Sequence, residues 1–160
     1  MKIKIADRLF LWFFIFCLLF GGTEAMAGQG AQDTAISFEE GKDILKEEIP
    51  NFVILDKDVL GGGKPSANAL EAAQKMGIKT IIDLRTPVEG TEEEQKSVEN
   101  LNMNYVNIPV IPSSLDDYEV EQLRTVLNDP QNTPAIIHCS TGGRVLKLWT
   151  LYQNKYSKKD

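Results

Sequence analysis

Residues 136–145 read IIHCSTGGRV, and this stretch decides how the rest of the chain is interpreted. A short apolar run ends at Cys139, a small loop with two glycines follows, and Arg144 leads into an amphipathic segment. The pattern predicts a strand, a tight turn and a helix N-terminus, where backbone N–H groups and the helix dipole favour an anion. The same field favours a thiolate over a thiol, so Cys139 is a candidate nucleophile.

The other residues of the loop are candidates for binding the anion. Arg144 falls in the first turn of the predicted helix, where its guanidinium can grip two oxygens of a tetrahedral anion. The backbone around that anion would come from four candidate substrate-binding residues, which are Ser140, Thr141, Gly142 and Gly143.

His138 is the only histidine of the chain, and it directly precedes the candidate nucleophile. Neighbouring residues of a strand point to opposite faces, so a catalytic pair of His138 with Cys139 is disfavoured. We expect a structural role for His138, in which it bonds carbonyls of the loop. One histidine and one cysteine also give too few typical ligands for zinc, and we expect neither a metal nor a cofactor.

Helical and strand patterns alternate along the chain from residue 66 onward. This alternation predicts parallel strands with helices on both faces, so the expected fold is a single three-layer α/β/α domain with a central, mostly parallel sheet. Ligands of such folds bind at the carboxyl ends of the strands, where the Cys139 loop would lie. The predicted strands are 52–55, a short one near Val59, 79–84, 104–108 and 135–138, and the predicted helices are 67–76, 91–101, 116–127 and one after Arg144. Ser66 is the expected N-cap of helix 67–76, and Thr91 and Glu94 are expected to form a capping box at the start of the next helix.

The N-terminus has the pattern of a secretory signal peptide over residues 1–27. Basic residues precede twelve apolar residues, Leu9 to Phe20, and Ala25-Met26-Ala27 fits a cleavage site. A membrane span needs about 20 apolar residues, which favours cleavage and an exported, periplasmic or secreted, protein over an anchor. Residues 28–50 would form a lead with a short helix capped at Ser37, and residues 51–156 the main domain.

Charge and cysteine content limit the classes of partner. The chain has 17 basic and 23 acidic residues and a net charge of −6, which argues against nucleic acid and anionic lipid surfaces. Of its two cysteines, Cys17 lies in the predicted signal peptide, so the processed chain has no intrachain disulfide. The oligomeric state cannot be read from these features.

The HCSTGGR motif resembles the active-site signature of the cysteine-dependent protein tyrosine and dual-specificity phosphatases. More closely, the chain resembles a small bacterial phosphatase-like branch of that superfamily, which is also found fused to β-lactamase-like hydrolases. Besides the loop, the resemblance rests on residues 62–66 (GGKPS), 77–85 (GIKTIIDLR) and 145–149 (VLKLW), and it covers roughly residues 50–153.

The resemblance implies hydrolysis of a phosphomonoester through a cysteinyl-phosphate. Cys139 would attack phosphorus, while Arg144 and the N–H groups of residues 140–144 stabilise the equatorial oxygens. An aspartic acid would protonate the leaving oxygen, with Asp116, or its neighbour Asp117, as the nearest candidate. The partner would be a phosphorylated substrate, which the sequence does not name.

Two alternatives remain open at this point. Only four residues separate Cys139 from Arg144, whereas the phosphatase signature has five, and Val145 stands where phosphatases usually have a hydroxyl residue. A six-residue loop resembles that of rhodanese-type sulfurtransferases, which would carry a persulfide on Cys139. A non-catalytic module that binds phosphate or sulfate is the other alternative.

Overall fold

The computed structural model describes residues 35–156, so the predicted signal peptide lies outside the described residues. Helices and strands alternate as the sequence predicts, with boundaries that differ by one or two residues. In chain order they are α1 (Phe38–Glu48), β1 (Val53–Asp56), β2 (Val59–Gly62), α2 (Ala67–Lys75), β3 (Thr80–Asp83), a short 3-10 helix (Pro87–Glu89), α3 (Glu92–Asn100), β4 (Asn104–Asn107), α4 (Asp117–Leu127), β5 (Ala135–His138) and α5 (Gly143–Tyr156). No helix within residues 35–156 has the length and apolar character that crossing a membrane requires.

The five strands form one sheet in the order β1-β2-β5-β3-β4. Strands β2, β5, β3 and β4 run parallel, and β1 joins the edge of β2 as an antiparallel hairpin. The predicted α/β class with a mostly parallel sheet is therefore confirmed. Strand β5, which carries the Cys139 loop at its end, lies in the middle of the sheet.

The register aligns the last residues of the four parallel strands. Gly62 pairs with His138, His138 with Asp83, and Asp83 with Asn107. The residue after each strand thus leaves the sheet at the same carboxyl edge. This is the edge at which parallel α/β sheets bind ligands, and Cys139 lies at its centre.

Two apolar clusters sandwich the sheet. Ile136 of β5 belongs to a cluster with buried residues of α1, α2 and α3, whereas its neighbour Ile137 belongs to a cluster with α4 and α5. Successive residues of a strand point to opposite faces, so the two clusters are the two sides of the sheet. The arrangement gives the three layers that the sequence predicts.

Two of the predicted helix starts are confirmed, and one predicted cap is wrong. The Ser37 and Ser66 side chains accept hydrogen bonds from the N–H groups of Glu40 and Ala69. Thr91 was expected to form a capping box with Glu94, but its side chain makes no capping hydrogen bond. The Glu94 carboxylate instead turns into the core, where it meets His138 of β5 and Arg85 after β3.

Candidate active site

Residues 139–142 form a tight loop between β5 and α5, with the Cys139 thiol buried at its base and Arg144 in the first turn of the helix. The Gly142 N–H donates a hydrogen bond to Cys139 Sγ over 3.1 Å. Gly142 has a φ of 93°, and a Cβ there would lie 3.3 Å from the carbonyl carbon of Gly62. A glycine is therefore required for the loop to curl toward the sulfur.

Backbone N–H groups make Cys139 more acidic than an ordinary thiol. Burial opposes the charged form, but the N–H groups of Thr141, Arg144, Gly142 and Val145 outweigh it, so the pKa of Cys139 lies below its usual value. Hydrogen bonds to a thiolate stabilise it, and the N-terminus of α5 adds its dipole. The loop therefore favours the thiolate form of Cys139, and its role as the nucleophile stays a prediction.

The loop is fixed to the segment around the end of β2. Gly63 forms an isolated antiparallel bridge with Thr141, and the Lys64 N–H reaches the Ser140 carbonyl at 3.4 Å. Asn51, in the turn between α1 and β1, donates from its side-chain amide to the Thr141 carbonyl at 2.9 Å. The predictions from sequence did not include Asn51, whose signal was only that of a turn residue.

Arg144 extends from the start of α5 to three neighbouring loops. Its Nη1 donates to the carbonyls of Leu84 and Val110 at 3.3 and 3.2 Å, and its Nη2 donates to Ser140 Oγ at 2.9 Å. The guanidinium is therefore held beside the Cys139 loop by the residues after β3 and β4. This placement fits the anion-binding role predicted for Arg144.

Glu89 is a part of the site that sequence reasoning missed. Its carboxylate accepts hydrogen bonds from Arg144 Nη2 and Nη1 at 2.6 and 2.8 Å and from Ser140 Oγ at 2.8 Å. The Thr86 N–H and hydroxyl also donate to it, at 2.8 and 2.9 Å. The hydrogen bonds from Arg144 are the main reason that the pKa of Glu89 lies well below its ordinary value.

The position of Glu89 could have been suspected, because it follows β3 at the same edge as Cys139. The Thr86-x-x-Glu89 spacing also has the form of a capping box, which holds a glutamate close to the start of its turn. The sequence does not show that this turn lies against Arg144 in the folded protein.

His138 lies below the loop in a fully buried charged cluster. Its Nε2 lies 2.6 Å from Glu94 Oε1 and 3.7 Å from Asp83 Oδ1. Arg85 Nη2 bridges the other oxygens of both carboxylates at 2.6 Å each, and the Tyr105 hydroxyl donates to Asp83. The expectation that His138 bonds loop carbonyls is therefore wrong, because buried carboxylates face it instead.

The charges of this cluster compensate one another. Burial would raise the pKa of Asp83, but the hydrogen bonds from Arg85 and the proximity of His138 hold it below its ordinary value. Donor atoms of Asp83, Glu94 and His138 lie within 4.8 Å of one another, which is a spacing that a metal site would need. Arg85 already links both carboxylates, however, and its positive charge beside them disfavours a divalent cation.

Asp116 and Asp117, the candidate general acids, lie at the start of α4. Asp116 is the N-cap, where its carboxylate accepts from the Tyr118 N–H at 2.8 Å, and Asp117 pairs with Lys155 at 3.0 Å. Both carboxylates thus have partners in α4 or α5 and not in the Cys139 loop. The general-acid role of Asp116 stays a prediction.

Comparisons with known proteins agree with this geometry. A family model described as a DSP-PTPase phosphatase fused to NAD+ kinase matches residues 46–157. No curated protein matches the chain significantly. Among solved structures, a DUF442 protein from Shewanella putrefaciens is 22% identical with a TM-score of 0.63, over 71% of this chain and 77% of that one.

Two further structures share the fold. TpbA of P. aeruginosa is 18% identical with a TM-score of 0.58, over 69% of this chain and 67% of that one. The core catalytic domain of the PP-IP phosphatase Siw14 from S. cerevisiae is 16% identical with a TM-score of 0.52, over 71% of this chain and 81% of that one. At these identities the likeness concerns the fold.

Proposed function

The chain belongs to the family described as DSP-PTPase phosphatase fused to NAD+ kinase, and from this premise we propose that Cys139 and Arg144 hydrolyse a phosphomonoester. The observation that supports this assignment best is the 3.1 Å contact of the Gly142 N–H with Cys139 Sγ. It places a stabilised nucleophile at the base of a loop whose exit carries a guanidinium. Such an arrangement serves nucleophilic catalysis on an anionic group.

The reaction has two steps. The Cys139 thiolate forms an S–P bond while the P–O bond to the leaving group breaks, and a proton passes to the leaving oxygen. Water then attacks phosphorus, the S–P bond breaks, and phosphate leaves with the thiolate regenerated. N–H groups of residues 140–144 and Arg144 stabilise the phosphoryl oxygens in both steps.

Asp116 remains the proposed proton donor, and its position sets a requirement. Its carboxylate is engaged in capping α4, so it must give up the Tyr118 N–H before it can reach a leaving oxygen. The cost of leaving a helix N-cap is about 1 kcal/mol, which binding of a substrate can offset. Replacing Asp116 by Asn should therefore slow esters with poor leaving groups more than 4-nitrophenyl phosphate.

We further propose that the protein is exported and that residues 1–27 are removed. The support is the signal-peptide pattern of the sequence. Expression of the full chain in a bacterium, followed by fractionation and determination of the N-terminal residue, tests it. A processed protein that begins near Gly28 in the exported fraction is expected, and an unprocessed cytoplasmic protein would contradict the proposal.

A phosphatase assay tests the main proposal. The purified domain should release 4-nitrophenol from 4-nitrophenyl phosphate, and Cys139→Ser should reduce the rate about a thousandfold or more, as loss of a nucleophile does. Thr125→Ala, a hydroxyl deletion at an exposed position of α4 outside the Cys139 loop, is the control and should retain the Cys139-dependent rate. Thiocyanate production from thiosulfate and cyanide, without phosphate release, would instead identify a sulfurtransferase.

A further inference from the structure

A pocket of about 540 Å³ opens between the starts of α2 and α3. Its polar lining consists of Glu48, Lys64, Ser66, Glu93, Glu94 and Ser97. The volume falls in the range that small-molecule sites occupy. None of these residues belongs to the Cys139 loop, so the pocket is additional to the site described above.

Two walls of the pocket are shared with the catalytic loop. Lys64 forms part of one wall, and its backbone N–H donates to the Ser140 carbonyl. Glu94 forms part of another, and its carboxylate lies against His138, the residue before the nucleophile. Both α2 and α3 follow strands that end at the carboxyl edge of the sheet. The pocket therefore adjoins the segments that hold the Cys139 loop in place.

Glu94 separates the pocket from the residue that precedes the nucleophile. Its side chain is 3% exposed. One of its oxygens accepts a hydrogen bond from Arg85, and the other lies 2.6 Å from His138 Nε2. The Glu94 carboxylate is therefore held by Arg85 and His138, and the exposed Glu93 and Ser97 of the same helix supply the polar groups that a ligand can contact.

The character of the lining favours a ligand with many hydroxyl groups. Glu93 offers acceptors, Ser97 offers a hydroxyl, and Lys64 offers a donor at the side nearer the loop. The lining contains no aromatic side chain on which a ring or nucleobase could stack.

Resting on the proposed phosphatase function, we infer that this pocket selects a polyhydroxylated phosphomonoester, such as a sugar phosphate. The phosphoryl group binds at Cys139, and the hydroxyl groups of the leaving portion reach Glu93 and Ser97.

Matched substrates test the inference. Glucose 6-phosphate and hexyl phosphate are both primary alkyl esters, and 4-methylumbelliferyl phosphate reports phosphatase activity independently of the pocket's preference. Two or three hydrogen bonds to the hydroxyl groups should give glucose 6-phosphate a kcat/KM at least about tenfold above that of hexyl phosphate. Glu93→Leu and Ser97→Leu should bring the ratio of kcat/KM for glucose 6-phosphate to kcat/KM for hexyl phosphate close to one. Glu92→Leu and Gln95→Leu lie on the same helix but outside the pocket, and they should preserve this ratio.

The outcomes separate the two proposals. If the methylumbelliferyl ester is hydrolysed but the two alkyl esters are used equally, the pocket assignment is wrong and the phosphatase function stands. If no ester is hydrolysed, the phosphatase function is wrong. Calorimetric titration of the Cys139→Ser variant then tests whether the pocket binds glucose 6-phosphate more tightly than hexyl phosphate. In that titration, equal or undetectable binding of glucose 6-phosphate and hexyl phosphate would overturn the inference.

Discussion

The carboxylate of Glu89 and the guanidinium of Arg144 face each other along two hydrogen bonds, Nη2 to Oε1 at 2.6 Å and Nη1 to Oε2 at 2.8 Å. This is the fork geometry by which arginine also binds a phosphate. Ser140 adds its hydroxyl to the same carboxylate. Glu89 therefore acts as an internal anion at the group that is proposed to hold the phosphoryl oxygens, and substrate must share or replace its hydrogen bonds.

Glu89→Gln should strengthen the binding of inorganic anions. The amide keeps the size of the side chain but removes its charge, so it competes less well for Arg144. Since hydrogen bonds to charged groups contribute about 1.5–3 kcal/mol, the inhibition constants of phosphate and tungstate against 4-nitrophenyl phosphate should fall about tenfold. Glu92→Gln, a glutamate of the exposed start of α3, is the control and should leave them unchanged. Weaker anion binding in Glu89→Gln would instead mean that the carboxylate orients Arg144 for substrate.

The same ion pair should make stability depend on pH in the acid range. The pKa of Glu89 is lowered in the folded protein relative to its ordinary value of 4.5, chiefly by hydrogen bonds from Arg144. A lowered folded pKa means stabilisation that is present above about pH 4.5 and declines as the pH falls below it. The difference in urea unfolding free energy between wild type and Glu89→Gln should therefore be largest near neutral pH and shrink toward pH 3. A difference that is constant from pH 7 to pH 3 would contradict the ion-pair interpretation.

The two glycines of the loop should respond differently to alanine. Gly142 has a φ of 93° and little room for a Cβ, whereas a Cβ on Gly143 would meet no atom within 4 Å. Gly142→Ala should therefore destabilise the fold by about 1–3 kcal/mol and move its N–H away from Cys139. Gly143→Ala, in the first turn of α5, should change the unfolding free energy by less than about 1 kcal/mol. Thermal unfolding and the pH dependence of alkylation by iodoacetamide measure both effects, and equal behaviour of the two variants would refute this account of the loop.

Much of the fold could be predicted because its signals are local. The apolar run 135–138, the glycines after it and the helical spacing beyond Arg144 specify one strand, one turn and one helix in succession. Caps at Ser37 and Ser66 are likewise short-range, and both are present. The same kind of local pattern failed for Glu94, since a capping box and an inward-turned carboxylate have identical spacing.

The surroundings of the loop could not be predicted, because they depend on which distant segments meet. The order β2-β5-β3 brings the residues after β2 and β3 to either side of Cys139, and only then do Asn51 and Glu89 gain their partners. Charged residues that follow a strand indicate a ligand site at the sheet edge, but they do not indicate which of them will form ion pairs with each other. The partners of His138 were missed for this reason, since Glu94 lies 44 positions earlier in the chain.

Asn51 should control how well the loop stabilises the thiolate. The Thr141 carbonyl and the Gly142 N–H belong to one planar peptide unit, so they point in opposite directions. The Asn51 amide holds that carbonyl at 2.9 Å, and the N–H on the other side is thereby directed at Cys139 Sγ, 3.1 Å away. Asn51 also has a φ of 52°, which a glycine adopts without strain.

Asn51→Gly therefore removes the hydrogen bond while keeping the backbone. It should raise the pKa of Cys139, which is measured as a higher midpoint in the pH dependence of alkylation by iodoacetamide. It should also lower kcat/KM for 4-nitrophenyl phosphate about tenfold, because a tenfold change corresponds to the free energy of about one hydrogen bond. Asn102→Gly is the matched control, since Asn102 has a φ of 57° in the turn before β4, and it should leave both quantities unchanged. If the two variants behave alike, the Gly142 N–H is oriented by the loop itself and Asn51 has no part in catalysis.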